Sequence, residues 1–197
     1  MDVRPFLLVL VGTLAWGAGV PAAWADGLVE SPDGPEHVKV YFTETAALAK
    51  AFAGADSTWT ETWRPTAAER ADLEAALGWH LPETSFVFHR AQRRGRDLGT
   101  ALILEEKGRF KPITFLVRVD PGGKVGLVLV MVYRESRGDA VRRQRFLRQF
   151  DGRTALDPLR LNRDVVGISG ATMSSRALAA GVRKALVLTA ARGRKAP

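Results

Sequence analysis

The sequence predicts an α+β fold in which helices flank a mostly antiparallel sheet within a single domain. Two periodicities support this: the middle of the chain alternates apolar and polar residues as strands do, whereas the segments around it repeat every three or four residues as amphipathic helices do. The third observation is the run Asp120-Pro121-Gly122-Gly123 between two apolar stretches. Proline presets φ at the second position of a turn and glycine tolerates positive φ, so this run predicts a hairpin.

The predicted strands lie between residues 86 and 133. Two short apolar runs, at residues 86–89 and 101–104, come before an alternating strand at 113–119. The strand that returns from the hairpin, at 125–133, is apolar on both faces and is therefore expected to be covered on both sides. Strict alternation places Val125, Leu127, Leu129 and Met131 on one face and Val128, Val130 and Val132 on the other.

Four helices are predicted around this sheet. The first covers residues 37–52, and the second begins at the capping box Thr66-Ala67-Ala68-Glu69 and ends at Gly78. The third covers residues 139–150, and the last runs from about residue 173 to 191. The inward face of the last helix contains Leu178, Val182, Ala185, Leu186 and Thr189, and its outward face contains Arg176, Arg183 and Lys184.

The first residues of the chain predict export. An apolar stretch at residues 6–25 follows Arg4 and ends in Ala23-Trp24-Ala25, the small-residue pattern of a cleavage site. We therefore expect a signal peptide at residues 1–25 and a periplasmic or otherwise extracytoplasmic mature protein. A retained N-terminal membrane anchor is the alternative, because Asp2 weakens the positive start and the stretch is nearly long enough to span a bilayer.

Composition excludes several kinds of site. The chain has no cysteine, which excludes disulfides, thiolate-held iron–sulfur clusters and c-type haem attachment. His37, His80 and His89 lack the spacing of metal ligands, so no metal site is expected. The formal net charge is +8, and arginine clusters at 93–96 and 142–148 either face solvent or contact an acidic protein or the membrane surface. No nucleic-acid partner is expected, because no recognition motif accompanies these clusters.

Residues 164–178, DVVGISGATMSSRAL, place small residues and hydroxyls directly before the last helix. In one interpretation Thr172 or Ser174 only caps the helix. In another, an anion is held at the helix start by free N–H groups from about Met173 to Ser175. The helix dipole favours such an anion by roughly 0.3 to 1 kcal/mol when the site is exposed. Gly170 and Ala171 would leave the neighbouring Thr172 hydroxyl accessible.

This region resembles the FMN-binding domain family, which includes the C subunit of sodium-translocating NADH:quinone reductase and the G subunit of the Rnf complex. Three features carry the resemblance: Ser169-Gly170-Ala171-Thr172 at the start of the final helix, Asp164 upstream, and Tyr133-Arg134-Glu135-Ser136-Arg137-Gly138 after a long hydrophobic strand. It covers approximately residues 98–188.

The resemblance implies that Thr172 carries FMN through a phosphoester bond. In the family a magnesium-dependent flavin transferase attaches the flavin after export, with FAD as the donor. The pair Glu135 and Ser136 would line the flavin pocket or only shape a turn, and Tyr133 and Met131 would contact the ring or pack in the core. The remaining candidate residues for cofactor binding are Asp164, Ser169, Gly170, Ala171, Met173, Ser174 and Ser175.

These expectations describe an exported flavoprotein that transfers electrons between a membrane-bound redox protein and an extracytoplasmic acceptor. An electron-transfer protein or subunit is favoured over a stand-alone enzyme, because nothing else in the sequence indicates a catalytic acid, base or nucleophile. The alternatives are a cofactor-free adaptor of the same fold that docks to a membrane redox assembly through basic surfaces, and noncovalent flavin. The expected organisation is a signal peptide at 1–25, an N-terminal region of helices and strands packed on the sheet at 26–97, the FMN-binding core at 98–191 and a disordered basic tail at 192–197.

Overall fold

The computed structural model describes residues 37–193, which form one antiparallel sheet with helices on both faces. This confirms the α+β prediction. The predicted signal peptide and residues 194–197 lie outside the described residues. No helix within residues 37–193 is long and apolar enough to cross a membrane. The elements are β1 (Lys39–Val40), α1 (Glu44–Ala51), β2 (Ser57–Trp63), α2 (Ala67–Leu77), β3 (Phe86–Arg93), β4 (Arg96–Lys107), β5 (Pro112–Val119), β6 (Val125–Tyr133), α3 (Gln144–Leu147) and α4 (Thr172–Gly193).

The six strands lie in the order β1-β6-β5-β4-β3-β2, and every neighbouring pair is antiparallel. The predicted hairpin turn is confirmed between β5 and β6, where the Gly123 N–H donates to the carbonyl of Asp120 over 2.9 Å and Gly123 has φ +77°. Strand β2 was not predicted. It is an edge strand in which only Trp63 is buried, so it lacks the apolar alternation that identifies a strand in a sequence.

The two faces of the sheet carry separate hydrophobic cores. The larger core lies under α2, α4 and the segment 139–150, and includes Phe115 and Phe150; the smaller lies under α1 and includes Leu116. Gly181 lets α4 approach the larger core closely, because a Cβ atom at this position would overlap with Cζ of Phe115. Helix α4 therefore packs directly on β4 and β5.

Both faces of β6 are covered as predicted, but two bulges change which residues point to which core. The pairing with β5 skips Gly126 and Met131, so each is an extra residue on β6. Val125 consequently joins the larger core and Val132 the smaller one, each opposite to the face that strict alternation predicts. Tyr133, the last residue of β6, points into the larger core beneath α4.

Helix α2 begins and ends as predicted, whereas two other helices differ. Both capping-box bonds between Thr66 and Glu69 form, and Gly78 ends α2 in the left-handed conformation. The first helix does not begin at residue 37: the Thr43 side chain caps it, so α1 starts at Glu44 and the preceding residues pair as β1.

The predicted third helix, at 139–150, is not continuous. It consists of the 3-10 turn Asp139–Arg142, the short helix α3 and the 3-10 turn Arg148–Phe150. Arg143 is extended, with φ −67° and ψ 138°, and interrupts the helical hydrogen bonds. This break lets Val141, Phe146 and Phe150 all reach the larger core, which a single straight helix face would not allow.

Lys184 was predicted to face outward from the last helix but is buried. Only 3% of its side chain is exposed, and Nζ lies 2.6 Å from Oε1 of Glu83 and 2.5 Å from Oε1 of Glu106. Burial alone would lower the pKa of Lys184, but the carboxylates of Glu106 and Glu83 raise it above its ordinary value. Burial in turn raises the pKa of Glu106, against the effect of the ammonium group. Two acidic partners thus hold a lysine where helical periodicity alone predicts solvent.

Arg183 and the end of α4 also differ from the prediction. Arg183 was expected to face outward, but it is half-buried and donates to the carbonyls of Ala76 and Pro158. The helix continues through Arg192, which pairs with Glu61 on β2, and ends at Gly193. These last two residues had been assigned to the basic tail.

The triad of the buried Lys184 and the half-buried Glu83 and Glu106 predicts a large stability effect at Lys184. In Lys184→Ala the carboxylates of Glu83 and Glu106 lose their common cation. Loss of one partner of a buried ion pair costs about 3–5 kcal/mol, and the partial exposure of both carboxylates places the expected cost at the lower end of this range. Urea denaturation of the full chain measures this loss in the free energy of unfolding. Arg176→Ala, at an exposed arginine of the same helix, is the matched control and should stay within about 0.5 kcal/mol of wild type. Equal, small effects of the two substitutions would contradict the structural role of the triad.

Candidate functional site

The turn that begins α4 depends on Gly170 and Ala171. Gly170 has φ +77°, a conformation that glycine adopts without steric cost. The buried Ala171 donates its N–H to the carbonyl of Ile168 over 2.9 Å, and its own carbonyl accepts the N–H of Ser175 over 2.8 Å. Ala171 therefore occupies the N-cap position, and Thr172 is the first residue of the helix.

The hydroxyls around this turn have different environments. Ser174 and Ser175 are buried: Ser174 Oγ lies 2.8 Å from the Tyr133 hydroxyl, and Ser175 Oγ accepts the N–H of Ile168 over 3.2 Å. Thr172 and Ser169 are exposed. The capping interpretation is therefore wrong for Thr172 and Ser174, because Ala171 is the N-cap. Of the three hydroxyl-bearing residues in the first turn of α4, Ser174 and Ser175 are buried and Thr172 is exposed.

The backbone donors at the helix start are displaced by one residue from the prediction. Helical geometry leaves the N–H groups of Thr172, Met173 and Ser174 without an acceptor in the helix, whereas that of Ser175 bonds to Ala171. These three donors lie at the positive end of a helix of 22 residues. The arrangement favours a negatively charged group next to Thr172.

A cleft of about 710 Å³ opens beside this helix start. Four other surface clefts have volumes of about 370 to 480 Å³. The larger volume lies within the range of roughly 300 to 1,000 Å³ that is typical of small-molecule sites. Its walls come from the helix start, the β4–β5 turn and the loop after β6. The lining residues are Arg109, Phe110, Glu135, Ser136, Arg137, Gly170, Ala171, Thr172, Met173 and Ser174.

Tyr133 ties the loop after β6 to the start of α4. Its side chain is completely buried, and its hydroxyl donates to the carbonyl of Arg137 over 2.6 Å and accepts from Ser174 over 2.8 Å. Burial raises the pKa of Tyr133 to about 12. Gly138, with φ +96°, makes the approach possible because a Cβ atom there would overlap with the Tyr133 hydroxyl. Tyr133 therefore lies beneath the cleft and positions Ser174 and Arg137, which line it.

Glu135 fixes the β4–β5 turn in a similar way, through hydrogen bonds to a buried side chain. It is buried, and its Oε1 accepts the N–H groups of Phe110 and Lys111 over 2.8 and 3.1 Å. Gly108 leaves room for this carboxylate, because a Cβ atom there would lie 2.7 Å from Oε1. Glu135 thus lines the cleft and also shapes a turn. This turn is the one between β4 and β5, not the loop after β6 to which Glu135 itself belongs. Ser136, half-buried, lies beside it in the wall.

Asp164 and Met131 lie outside the cleft. Asp164 Oδ2 accepts the N–H of Arg160 over 2.8 Å and lies 3.6 Å from its Nε, which closes the turn at residues 160–165. Met131 packs in the smaller core on the opposite face of the sheet. The structure brings most of the predicted motif residues together with Glu135 and Ser136, but it places Asp164 elsewhere.

Three lining residues were not singled out from the sequence: Arg109, Phe110 and Arg137. Cζ of Arg109 lies 4.8 Å from the centroid of the Phe110 ring, so the guanidinium group stacks on the aromatic face. Arg137 belongs to the segment 133–138 that carries the family resemblance, but no role was predicted for it. Gly108-Arg109-Phe110 at a hairpin tip is a weak signal, because nothing local shows that this tip adjoins a helix start more than sixty residues later.

The cleft therefore combines features that suit an anionic ligand with an apolar ring. Backbone donors and two guanidinium groups favour an anion. Phe110 and Met173, of which 42% is exposed, offer apolar surface. The exposed Thr172 adds a hydroxyl at the point where the helix begins.

Comparison with known proteins agrees with this geometry. Residues 108–187 match the model of the FMN-binding domain, which confirms the resemblance drawn from the sequence. The match begins in the β4–β5 turn and ends within α4, so it contains all the residues that line the cleft. It falls inside the predicted core at 98–191. No curated protein matches the chain.

The buried Tyr133 hydroxyl predicts a pH-dependent contribution to stability. Tyr133→Phe leaves the Arg137 carbonyl and the Ser174 hydroxyl without a buried partner, which costs about 1–3 kcal/mol at neutral pH. Because the pKa of Tyr133 is raised to about 12, the unfolded chain releases this proton from about pH 10 while the folded chain keeps it. The free energy of unfolding of wild type should therefore exceed that of Tyr133→Phe by less and less as the pH rises from about 10 to 12.

The chain has two tyrosines, so Tyr41→Phe leaves Tyr133 as the sole phenol. In that background phenolate absorbance should show ionisation near pH 12, and urea denaturation of the Tyr41→Phe single and Tyr41→Phe/Tyr133→Phe double variants gives the difference in unfolding free energy. Ionisation near pH 10, with a difference that does not change with pH, would show that the hydroxyl is not held in the core.

Proposed function

We propose that the protein, whose residues 108–187 match the model of the FMN-binding domain, is an exported flavoprotein that carries FMN on Thr172 and transfers electrons. The observation that carries the proposal is the position of Thr172. It is exposed, it is the first residue of α4, and it lines the largest of the described clefts. The electrons pass between a membrane-bound redox protein and an extracytoplasmic acceptor.

The residues of the cleft fit FMN. The phosphate suits the three free N–H groups at the helix start and the positive end of the dipole. The ring suits the apolar surface of Phe110 and Met173. Gly170 and Ala171 keep the approach to Thr172 open, because no atom lies within 4 Å of the place where a Cβ of Gly170 would be.

The covalent bond requires the hydroxyl of Thr172 and an external flavin transferase. The Thr172 oxygen attacks the FMN phosphorus of FAD, the bond between phosphorus and the AMP oxygen breaks, and the hydroxyl proton leaves with AMP. The chain supplies only the acceptor oxygen and the donors that then hold the ester phosphate. Bound FMN supplies the redox chemistry, while the protein binds, orients and tunes it.

The proposed partners follow from charge and from the leader. Arg143, Arg145 and Arg148 are exposed and have no carboxylate partner among residues 37–193. A surface of this kind suits an acidic redox partner or peripheral contact with the membrane, with an attraction that salt weakens. The apolar stretch at residues 6–25 supports export to the periplasm or another extracytoplasmic location.

Loss of a single hydroxyl tests the proposal. When the full chain is coexpressed with a flavin transferase and exported, the intact mass of wild type should rise by FMN less one water. Thr172→Ala should stay at the unmodified mass because it has no acceptor oxygen, and Thr172→Ser should recover the flavin. Thr58→Ala is the matched control, since it removes an exposed threonine hydroxyl from β2, away from the cleft, and should load as wild type does.

Two outcomes contradict the proposal. Wild type that remains colourless and unmodified in the presence of the transferase would support the cofactor-free adaptor. Flavin that accompanies Thr172→Ala but is released by denaturation would support noncovalent binding.

A further inference from the structure

Two cationic side chains in the cleft have no part in forming the ester. Arg109 lies in the β4–β5 turn and Arg137 in the loop after β6, so they approach the same cleft from different walls. We propose that these two arginines form a cationic pair that stabilises reduced FMN over oxidised FMN and thereby sets the reduction potential. This inference rests on the proposed function, because it assigns both residues to the same flavin site.

The first support is that neither guanidinium group is neutralised. Within residues 37–193 no carboxylate forms an ion pair with Arg109 or Arg137. Arg134, three residues before Arg137, is paired with Glu105 at 3.3 Å. The two arginines of the cleft thus retain their positive charge for a ligand.

The second support is that the backbone under each arginine is fixed. The buried Glu135 accepts the N–H groups of Phe110 and Lys111, the two residues that follow Arg109. The carbonyl of Arg137 is held by the buried hydroxyl of Tyr133. A fixed backbone limits where each guanidinium group can lie, so less conformational entropy is lost when a ligand binds. Arg109 is further limited by its stacking on Phe110.

The third support is the net charge of the cleft wall. Glu135 is the single carboxylate among the lining residues, and its Oε1 is occupied by two backbone donors. Two arginines and the positive end of α4 outweigh it. The cleft therefore attracts negative charge, and it attracts most strongly the ligand form that carries most of it.

The charge of flavin changes on reduction. At neutral pH the ring takes up two electrons and one proton, so the reduced form carries one more negative charge than the oxidised form. A cationic cleft binds this form more tightly, and tighter binding of the reduced form raises the reduction potential. Removal of either arginine should therefore lower the potential.

The test is spectroelectrochemistry of the loaded full chain, with an electrode as the source of electrons. Arg109→Gln and Arg137→Gln should each reduce the preference for reduced over oxidised flavin about tenfold, which for a two-electron couple lowers the midpoint potential by about 30 mV. The effect of each substitution should shrink at high salt. Arg64→Gln, at an exposed arginine that does not line the cleft, is the matched control and should leave the potential unchanged. Potentials that do not change in the cleft variants, or that change as much in the control, would overturn the proposal.

A second measurement separates this inference from covalent attachment. The full chain expressed without the transferase is titrated with free FMN, once oxidised and once reduced by dithionite, and flavin absorbance and fluorescence report binding. The ratio of the two affinities should favour reduced FMN in wild type and fall about tenfold in each arginine variant.

If wild type fails to form the ester but shows this ratio, covalent attachment fails and the cationic pair stands. If the loaded protein forms but the variants keep the wild-type potential, the pair fails and covalent attachment stands. If the ester does not form and neither form of FMN binds saturably, both proposals fail.

Discussion

The cleft depends on one buried hydrogen-bond junction, formed by Tyr133, Ser174 and the carbonyl of Arg137. Tyr133 is the last residue of β6, Ser174 lies in the first turn of α4, and Arg137 lies in the loop that follows β6. A phenol in an apolar interior needs its hydrogen bonds satisfied, so this junction constrains all three segments together. The helix start that presents Thr172 is consequently fixed relative to the sheet.

Small residues and a bulge make this junction sterically possible. The extra residue Met131 displaces the end of β6 so that Tyr133 points beneath α4. Gly138 lets the loop close over the phenol, and Gly181 lets α4 approach the sheet further along. On the other side of the cleft, Glu135 binds the β4–β5 turn through two N–H groups. The three walls are thus held by buried polar contacts, while no carboxylate within residues 37–193 forms an ion pair with Arg109 or Arg137.

The sequence predicts those parts of the molecule whose signals are local. The capping box of α2, the β5–β6 hairpin, the bounds of β6 and the start of α4 each depend on a few adjacent residues. Features that depend on distant residues differ from the prediction: β2 has little apolar alternation at its edge position, and Lys184 is buried because Glu83 and Glu106 come from elsewhere in the chain. The same limit applies to the site. The Ser-Gly-Ala-Thr motif identifies the helix start, whereas Arg109 and Phe110 join it only through the antiparallel pairing of the sheet.

The central claim is that the oxygen of Thr172 is the point of attachment, and peptide mapping of the flavin-loaded protein tests it most directly. Trypsin cleaves after Arg163 and Arg176 and releases residues 164–176, which contain all four hydroxyls of the motif region. The account predicts that this peptide carries the mass of FMN less one water and that its fragment ions place the added mass on Thr172. Flavin on Ser169, Ser174 or Ser175, or on any other peptide, would contradict it.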